Sequence, residues 1–408
     1  MIAKPRKRDL DFTLGGLAPT RVLSPASDEE TATALRACAT ANEAVVPFGG
    51  GTLQAAANRP ARYDVALDLR GLRGVRAYDP RDLTIGVAAG TTLGELAATL
   101  AQHGQFLPLD APRAAHATVG GTLASGWNGP RRATYGRPRD LLIGVTAALA
   151  DGTLASAGGM VVKNVTGYDM GKLYVGACGT LGAITRANFK LLPLPAARRV
   201  AIARLDDELR PRALAHVRAL AIEPSALLVL DGFGDATPSD RHDTRLFALL
   251  EGSEASVERA TRDLRSALGA AGVAETQLHD GAAAERAFTA LLDAYLTTPG
   301  RSAVTLRAFG LPDAAAARAD AVREHGFAVD TLADLRTGDV VVRAGGIDAA
   351  ERVRALLGSA RVLAASAAVA GAIDVWGDAP ATLPAMRALK QRFDPQGTLA
   401  PGRFVGGI

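Results

Sequence analysis

Apolar residues recur along this chain with two different periods, and the switches between them predict its elements. Ser27-x-x-Glu30 opens a helix carrying Leu35 and Cys38 on one face, and it leads into Val45-Val46, a buried strand by composition. That strand runs straight into Pro47-Phe48-Gly49-Gly50-Gly51-Thr52. Further strands are predicted at residues 65–69 and 84–88, and Thr92-x-x-Glu95 caps a helix carrying Leu93, Leu96 and Leu100 that ends at Gly104. Residues 107–139 show little regular periodicity. Strands at 141–150 and 153–157 flank Asp151-Gly152, a strong hairpin signal, and a strand at 183–191 closes this half before Pro193 and Pro195.

Beyond the prolines the glycine-rich loops disappear. The pattern predicts strand 200–205, helix 210–220, strands 226–230 and 244–250, helix 257–268 and strand 273–278, the order β-α-β-β-α-β. After a helix at 283–296 the same order returns at 303–309, 314–324, 328–332, 339–343, 350–357 and 361–365. Two such units in tandem most simply share one antiparallel sheet covered by helices on one face. One more helix, 381–393, precedes an irregular tail. The expected fold class is therefore α+β, with a two-part domain at 1–196, a cap of tandem ferredoxin-like units at 197–370, and a segment at 371–408 returning to the first domain.

Composition narrows the possibilities. A 408-residue chain has room for two or more cores, and 48% hydrophobic with 22% charged residues excludes a disordered or fibrous protein. Lys and Arg exceed Asp and Glu by only four (46 against 42), spread thinly apart from Lys4, Arg6, Lys7 and Arg8, which read as a solvated terminus. No nucleic-acid partner is expected. Cys38 and Cys178 lack C-x-x-C spacing, so no iron–sulfur cluster or structural zinc is expected on this chain, and both read as small buried residues. No apolar run reaches the ~18 residues of a membrane span and no signal-peptide core follows the basic start, so a cytoplasmic location is expected, with membrane association at most peripheral through a complex.

Three segments carry chemistry. The glycines at 49–51 directly after a buried strand bare several backbone N–H groups, a cradle for an anion, although alone they read better as a plain turn. Gln54 stands where the third glycine of a Rossmann fingerprint belongs, and Gly171-Lys172 is followed by Leu173 without the upstream glycine of a P-loop. The second segment is Thr118-Val119-Gly120-Gly121-Thr122-Leu123-Ala124-Ser125-Gly126, small enough for its backbone to approach something flat or bulky. The third contains Lys163-Asn164-Val165-Thr166-Gly167-Tyr168-Asp169 and then Gly179-Thr180-Leu181-Gly182-Ala183-Ile184.

In this order and spacing the three resemble the FAD-binding domain shared by vanillyl-alcohol oxidase, FAD-linked D-lactate dehydrogenases and glycolate oxidase subunits, the PCMH-type domain, over residues 20–195. The run from Val162 to Met170 followed by Lys172-Leu173 resembles the glycolate oxidase and D-lactate dehydrogenase branch, with its FAD-binding subunits nearest. The resemblance implies that residues 47–52 hold the pyrophosphate. Thr118, Val119, Gly120, Gly121, Ala124, Ser125 and Gly126 would run along the ribityl chain and isoalloxazine, and Gly179, Leu181, Gly182 and Ile184 would face the adenine side. Lys163 and Tyr168 are candidates for stabilising reduced flavin or its phosphates. The family often anchors its flavin through a histidine; here the first loop has none, His103 and His116 are the nearest, and noncovalent FAD is expected. Branch members end in aspartate-proline and then asparagine-proline-glycine, whereas this chain has Asp394-Pro395 and then Ala400-Pro401-Gly402.

Oxidising a 2-hydroxy acid needs a cation for the carboxylate, a base for the hydroxyl proton and a geometry for hydride delivery. The cap histidines His216, His242, His279 and His325 stand singly, so no metal site is expected. Arg307 and Arg343, on predicted strands, are the candidate carboxylate holders, and Trp376 could pack against a ring. Two readings stand open. The chain is the FAD-binding subunit of a complex oxidising glycolate or D-lactate, with a sister FAD-linked oxidase subunit and an iron–sulfur subunit as partners, or it holds the flavin only as a relay or assembly element. A free-standing FAD-dependent oxidase is the third alternative.

Overall fold

The computed structural model describes residues 11–161, 168–233, 244–298, 303–358 and 360–408, and of residues 328 and 329 the backbone only. Ser27 caps the helix Asp28–Thr40 by accepting from the Glu30 amide at 3.1 Å, and the Glu30 carboxylate accepts from the Ala26 amide at 2.7 Å. Leu35 and Cys38 of that helix share a core cluster with Val45, Val65 and Leu67. Strands Arg21–Leu23, Val65–Asp68 and Val45–Phe48 form a parallel sheet with Val65–Asp68 in the middle. The free side of Val45 is taken by the distant tail: its amide donates to Thr398 O at 2.7 Å, and Ala400 N donates to Val45 O at 2.8 Å.

A second, antiparallel sheet runs in the order Val75–Asp79, Thr84–Ala88, Ala183–Lys190, Leu142–Ala148 and Leu154–Gly158. Asp151-Gly152 turns the hairpin between its last two sequence neighbours, with Gly152 at φ +81°. Arg21–Leu23 and Val75–Asp79 carry no sequence signal, because both are mostly exposed edge segments without alternation. The stretch expected to be irregular holds the helix Val119–Ser125, capped by Thr118 and stopped by Gly126 at φ +64°. Its two glycines give poor helix propensity. Burial of Val119 and Leu123 compensates.

The second half follows the tandem pattern. Eight strands form one antiparallel sheet in the order Thr276–Asp280, Ala197–Arg204, Thr244–Gly252, Ala226–Asp231, Ala328–Asp334, Val340–Ala344, Val304–Ala308 and Ala360–Ala365. Each unit has the spatial order fourth, first, third, second strand, and the two meet through their second strands, Leu228 opposite Asp334 and Leu230 opposite Leu332. Alternation divides the sheet. Ala201, Ala203, Leu227, Val229, Leu246 and Ala248 share one core cluster with Leu214 and Leu264 of the covering helices. Val200, Leu228, Phe247 and Leu249 face the other way, in a cluster with Phe288 of the helix Gly281–Ala294 and with Val119, Leu123 and Trp127 of the N-terminal half. Among the described residues no helix is long and apolar enough to cross a membrane.

Candidate cofactor site

The glycine run and the helix Val119–Ser125 meet edge to edge. A methyl on Gly49 would collide with the Thr118 hydroxyl, and one on Gly50 with the carbonyl oxygen of His116. These two glycines therefore let one loop touch the other, while Gly51, at φ +72°, makes the left-handed turn. Thr118, Gly121, Ala124 and Ser125, spaced three and four apart, present one helical face to the resulting cleft. With Pro47, Gly49, Gly50, Gly51 and Thr52 they line about 520 Å³ of empty space. A second cavity of about 350 Å³ shares Pro47, Gly49, Thr118, Gly121 and Ala124 with it and adds Phe48, Gly120, Gly179, Gly182 and Ile184.

Some expected residues lie elsewhere. Val119 and Leu181 are core side chains, and Gly126 ends its helix against Gly176. Tyr168 is 91% exposed and borders a separate cleft with Arg139, Lys172 and Lys190. Lys163 and its neighbours at 162–167 lie outside the described residues, as do His242 and the basic residues at 4–8. The sequence reading missed Leu53, Gln54, Ala56, Ala57, Cys178 and Arg403, all of which line the first cavity. Cys178 is thus a half-buried cavity residue at φ +52°, with burial pushing its thiol pKa up, rather than a plain core residue. Only a contact between residues far apart in the chain brings Arg403 here: its guanidinium donates to Gln54 O at 3.0 Å, Gln54 Oε1 at 2.6 Å and Asn58 O at 3.1 Å.

The two candidate carboxylate holders are both engaged by carboxylates. Arg307 Nε donates to Asp339 at 2.7 Å, and its other nitrogens donate to Asn128 O and Oδ1 at 2.7 and 3.1 Å. Arg132 clasps the same Asp339 with two bonds of 2.7 Å. Burial raises the Asp339 pKa, but the two arginines outweigh it and hold the carboxyl below its ordinary value. Arg343 lies inside the cap, bonded to Asp330 at 2.7 Å and Ala294 O at 2.7 Å, with its guanidinium 3.9 Å from the Phe233 ring centre. Trp376 packs edge-on against Phe404 and donates to Arg403 O at 3.0 Å. Ala400, where the branch has asparagine, is buried at φ +44°, a conformation asparagine adopts more readily.

The residues fit a dinucleotide on structural grounds: a groove walled by glycine backbone, open to a buried guanidinium. Sequence comparison agrees. Residues 19–158 match the family model described as FAD binding domain. The glycolate oxidase subunit GlcE of Escherichia coli (strain K12) is 36% identical over 199 residues, 48% of this chain and 53% of that protein. The glycolate oxidase subunit GlcD of Bacillus subtilis (strain 168) is 29% identical over 52% of this chain and 46% of that protein. The matched region thus spans about half the length of these relatives. Among solved structures, p-cresol methylhydroxylase with substrate bound superimposes with a TM-score of 0.68 at 16% identity, covering 94% of this chain and 88% of that one. An alkyldihydroxyacetonephosphate synthase superimposes with a TM-score of 0.65 at 18% identity over 93% of this chain and 75% of that one. Residues 19–158 of this chain thus match an FAD binding domain, and the chain as a whole has a fold similar to that of p-cresol methylhydroxylase.

Proposed function

We propose that this chain is the FAD-binding subunit of a glycolate-oxidase-type complex that oxidises glycolate or D-lactate to the 2-oxo acid, working with a sister FAD-linked subunit and passing electrons to an iron–sulfur subunit. The observation carrying this reading is the groove between the loops at 47–52 and 118–125, in a chain similar to two glycolate oxidase subunits. Residues 47–52 would hold the pyrophosphate, Thr118, Gly121, Ala124 and Ser125 the flavin end, and Gly179, Gly182 and Ile184 the adenine side. FAD, held noncovalently, supplies a two-electron acceptor when bound.

A specific observation favours the second reading, in which this flavin relays electrons and the sister subunit oxidises substrate. Arg132 and Arg307 already clasp Asp339, so a substrate carboxylate would have to displace an internal one. Anaerobic mixing of the FAD-loaded chain with glycolate and D-lactate tests both. Rapid bleaching of the flavin by the isolated chain excludes the relay. Bleaching only after a sister flavoprotein and an iron–sulfur subunit are added excludes a free-standing oxidase, and a chain that takes up no FAD excludes every version.

A further inference from the structure

The loop after strand Val304–Ala308 puts two apolar side chains into solvent: Phe309 is 56% exposed and Leu311 75%. Single exposed apolar residues are ordinary, whereas two at one loop tip, framed by arginines, have the composition of an interface. Arg318 donates to Phe309 O at 3.1 Å and Leu357 O at 2.7 Å, Arg218 to Asp313 O at 3.3 Å, and Arg336 to Pro224 O at 2.8 Å. The turn carrying Arg336 packs on the loop so closely that a methyl on Gly338 would strike Gly310 O. All three guanidiniums end on backbone carbonyls, and among the described residues none is neutralised by a carboxylate. Of the nearby acids, Asp313 is exposed in the loop itself, whereas Asp334 and Asp339 are buried. Asp334 accepts from the Arg336 and Thr337 amides, and Asp339 is held by Arg132 and Arg307. The face therefore sets three cations, in fixed positions, against one exposed acid.

Its place in the fold gives this face a use. Arg307, two residues before Phe309, has its guanidinium 5.4 Å from the Phe309 ring centre and 5.8 Å from that of Trp127, and it bonds Asn128. Trp127 and Asn128 follow directly on Ser125 and Gly126, the end of the helix that lines the candidate cofactor groove. The loop tip is thus one guanidinium away from the chain that leaves the groove at the end assigned above to the flavin ring. Electron transfer between proteins falls off steeply with separation, so an acceptor has to dock on that side. Resting on the functional reading above, we infer that Phe309, Leu311, Arg218, Arg318 and Arg336 form the docking face for the electron acceptor, an iron–sulfur protein that presents carboxylates around an apolar centre. Two electrons leave reduced FAD through this face, one per encounter, and its protons go to water. A patch this small suits the small, transient contacts of redox partners. An anionic membrane is the other surface of such chemistry, but two side chains offer little apolar anchorage, and guanidiniums fixed by carbonyl bonds suit the fixed carboxylates of a protein.

The test uses the complex of all three subunits, with wild type, Leu311→Asp, Arg218→Glu and Arg218→Lys, all remote from the groove. Driven by glycolate or D-lactate, reduction of a small soluble dye, which needs no docking, is measured beside reduction of the iron–sulfur centres. Leu311→Asp is expected to slow iron–sulfur reduction about 10-fold, as for an interface contact of middling weight, with dye reduction unchanged. Wild-type transfer should fall with added salt, Arg218→Glu should be slower and less sensitive to salt, and Arg218→Lys should stay near wild type. Iron–sulfur reduction at the wild-type rate in both Leu311→Asp and Arg218→Glu overturns the inference, as does equal slowing of the dye. Loss of the sister flavoprotein from either variant complex makes the face a structural joint and overturns it too. So does a wild type that sediments with phosphatidylglycerol vesicles where Leu311→Asp does not, with transfer unchanged. A wild-type complex whose iron–sulfur centres are never reduced defeats the functional reading instead, before any variant is compared.

Discussion

Gly49, Gly50 and Gly51 stand out in the sequence as a run of bare backbone, but each is glycine for a reason the sequence does not state. Two of them face the second loop and one turns left-handed, and a neighbour remote in the chain decides which is which. Gly50→Ala therefore has to push the His116 carbonyl away, and a cost of about 1–3 kcal/mol is expected for such overpacking. The check is a lower denaturation midpoint with FAD lost on gel filtration. Gly16, at φ +83° with open space around it, is the control site: an alanine there bears backbone strain alone and leaves FAD retention intact. Arg403 was beyond reading for the same reason as the glycine contacts. Its partners Gln54 and Asn58 come from the other end of the sequence, and no local pattern marks the pairing.

Elements with strong local signals were legible. The Thr92 capping box forms as its spacing predicts, the Thr92 hydroxyl accepting from Glu95 N at 3.2 Å and Glu95 Oε2 accepting from Thr92 N at 2.9 Å. Thr92 also bridges to Thr118, and Leu93 N donates to Ala117 O at 2.9 Å, so this cap braces the loop that enters the candidate cofactor groove. Thr92→Ala is expected to cost about 1 kcal/mol, within the range for a lost N-cap. Urea denaturation measures the loss, and an unchanged midpoint would count against the cap as drawn. The helix Val119–Ser125 was illegible because its glycines erase the periodicity, and what makes it a helix is the buried surface of Val119 and Leu123. The tandem β-α-β-β-α-β order, by contrast, was readable from alternation alone; the joining of the units through their second strands was not, since edge-to-edge pairing leaves no mark on either strand's own pattern.

For the molecule as a whole, the contacts between its halves decide behaviour. Asp339 in the cap holds Arg132 from the N-terminal half, and Arg307 bonds Asn128 across the same boundary. Asp339→Asn leaves two buried cations facing a neutral amide, for which about 3–5 kcal/mol is expected. Calorimetry should then show unfolding that is broader than that of the wild type, or split further. The pH dependence has a definite sign. The folded pKa of Asp339 lies below its unfolded value of about 4, so its stabilisation is complete above that pH and is lost as pH falls through the folded value. The stability gap between wild type and Asp339→Asn should accordingly narrow in acid, and a gap constant down to the acid limit would show that Asp339 is not ionised in the fold. The bonds from residues 398–403 back to Val45, Asn58 and Ala61 carry a consequence for synthesis on the ribosome. The strand Val45–Phe48 gains its flanking bonds only once residues 398–403 have been made. A segment made early is thus finished by one made much later, and FAD uptake is expected only after the tail has left the ribosome.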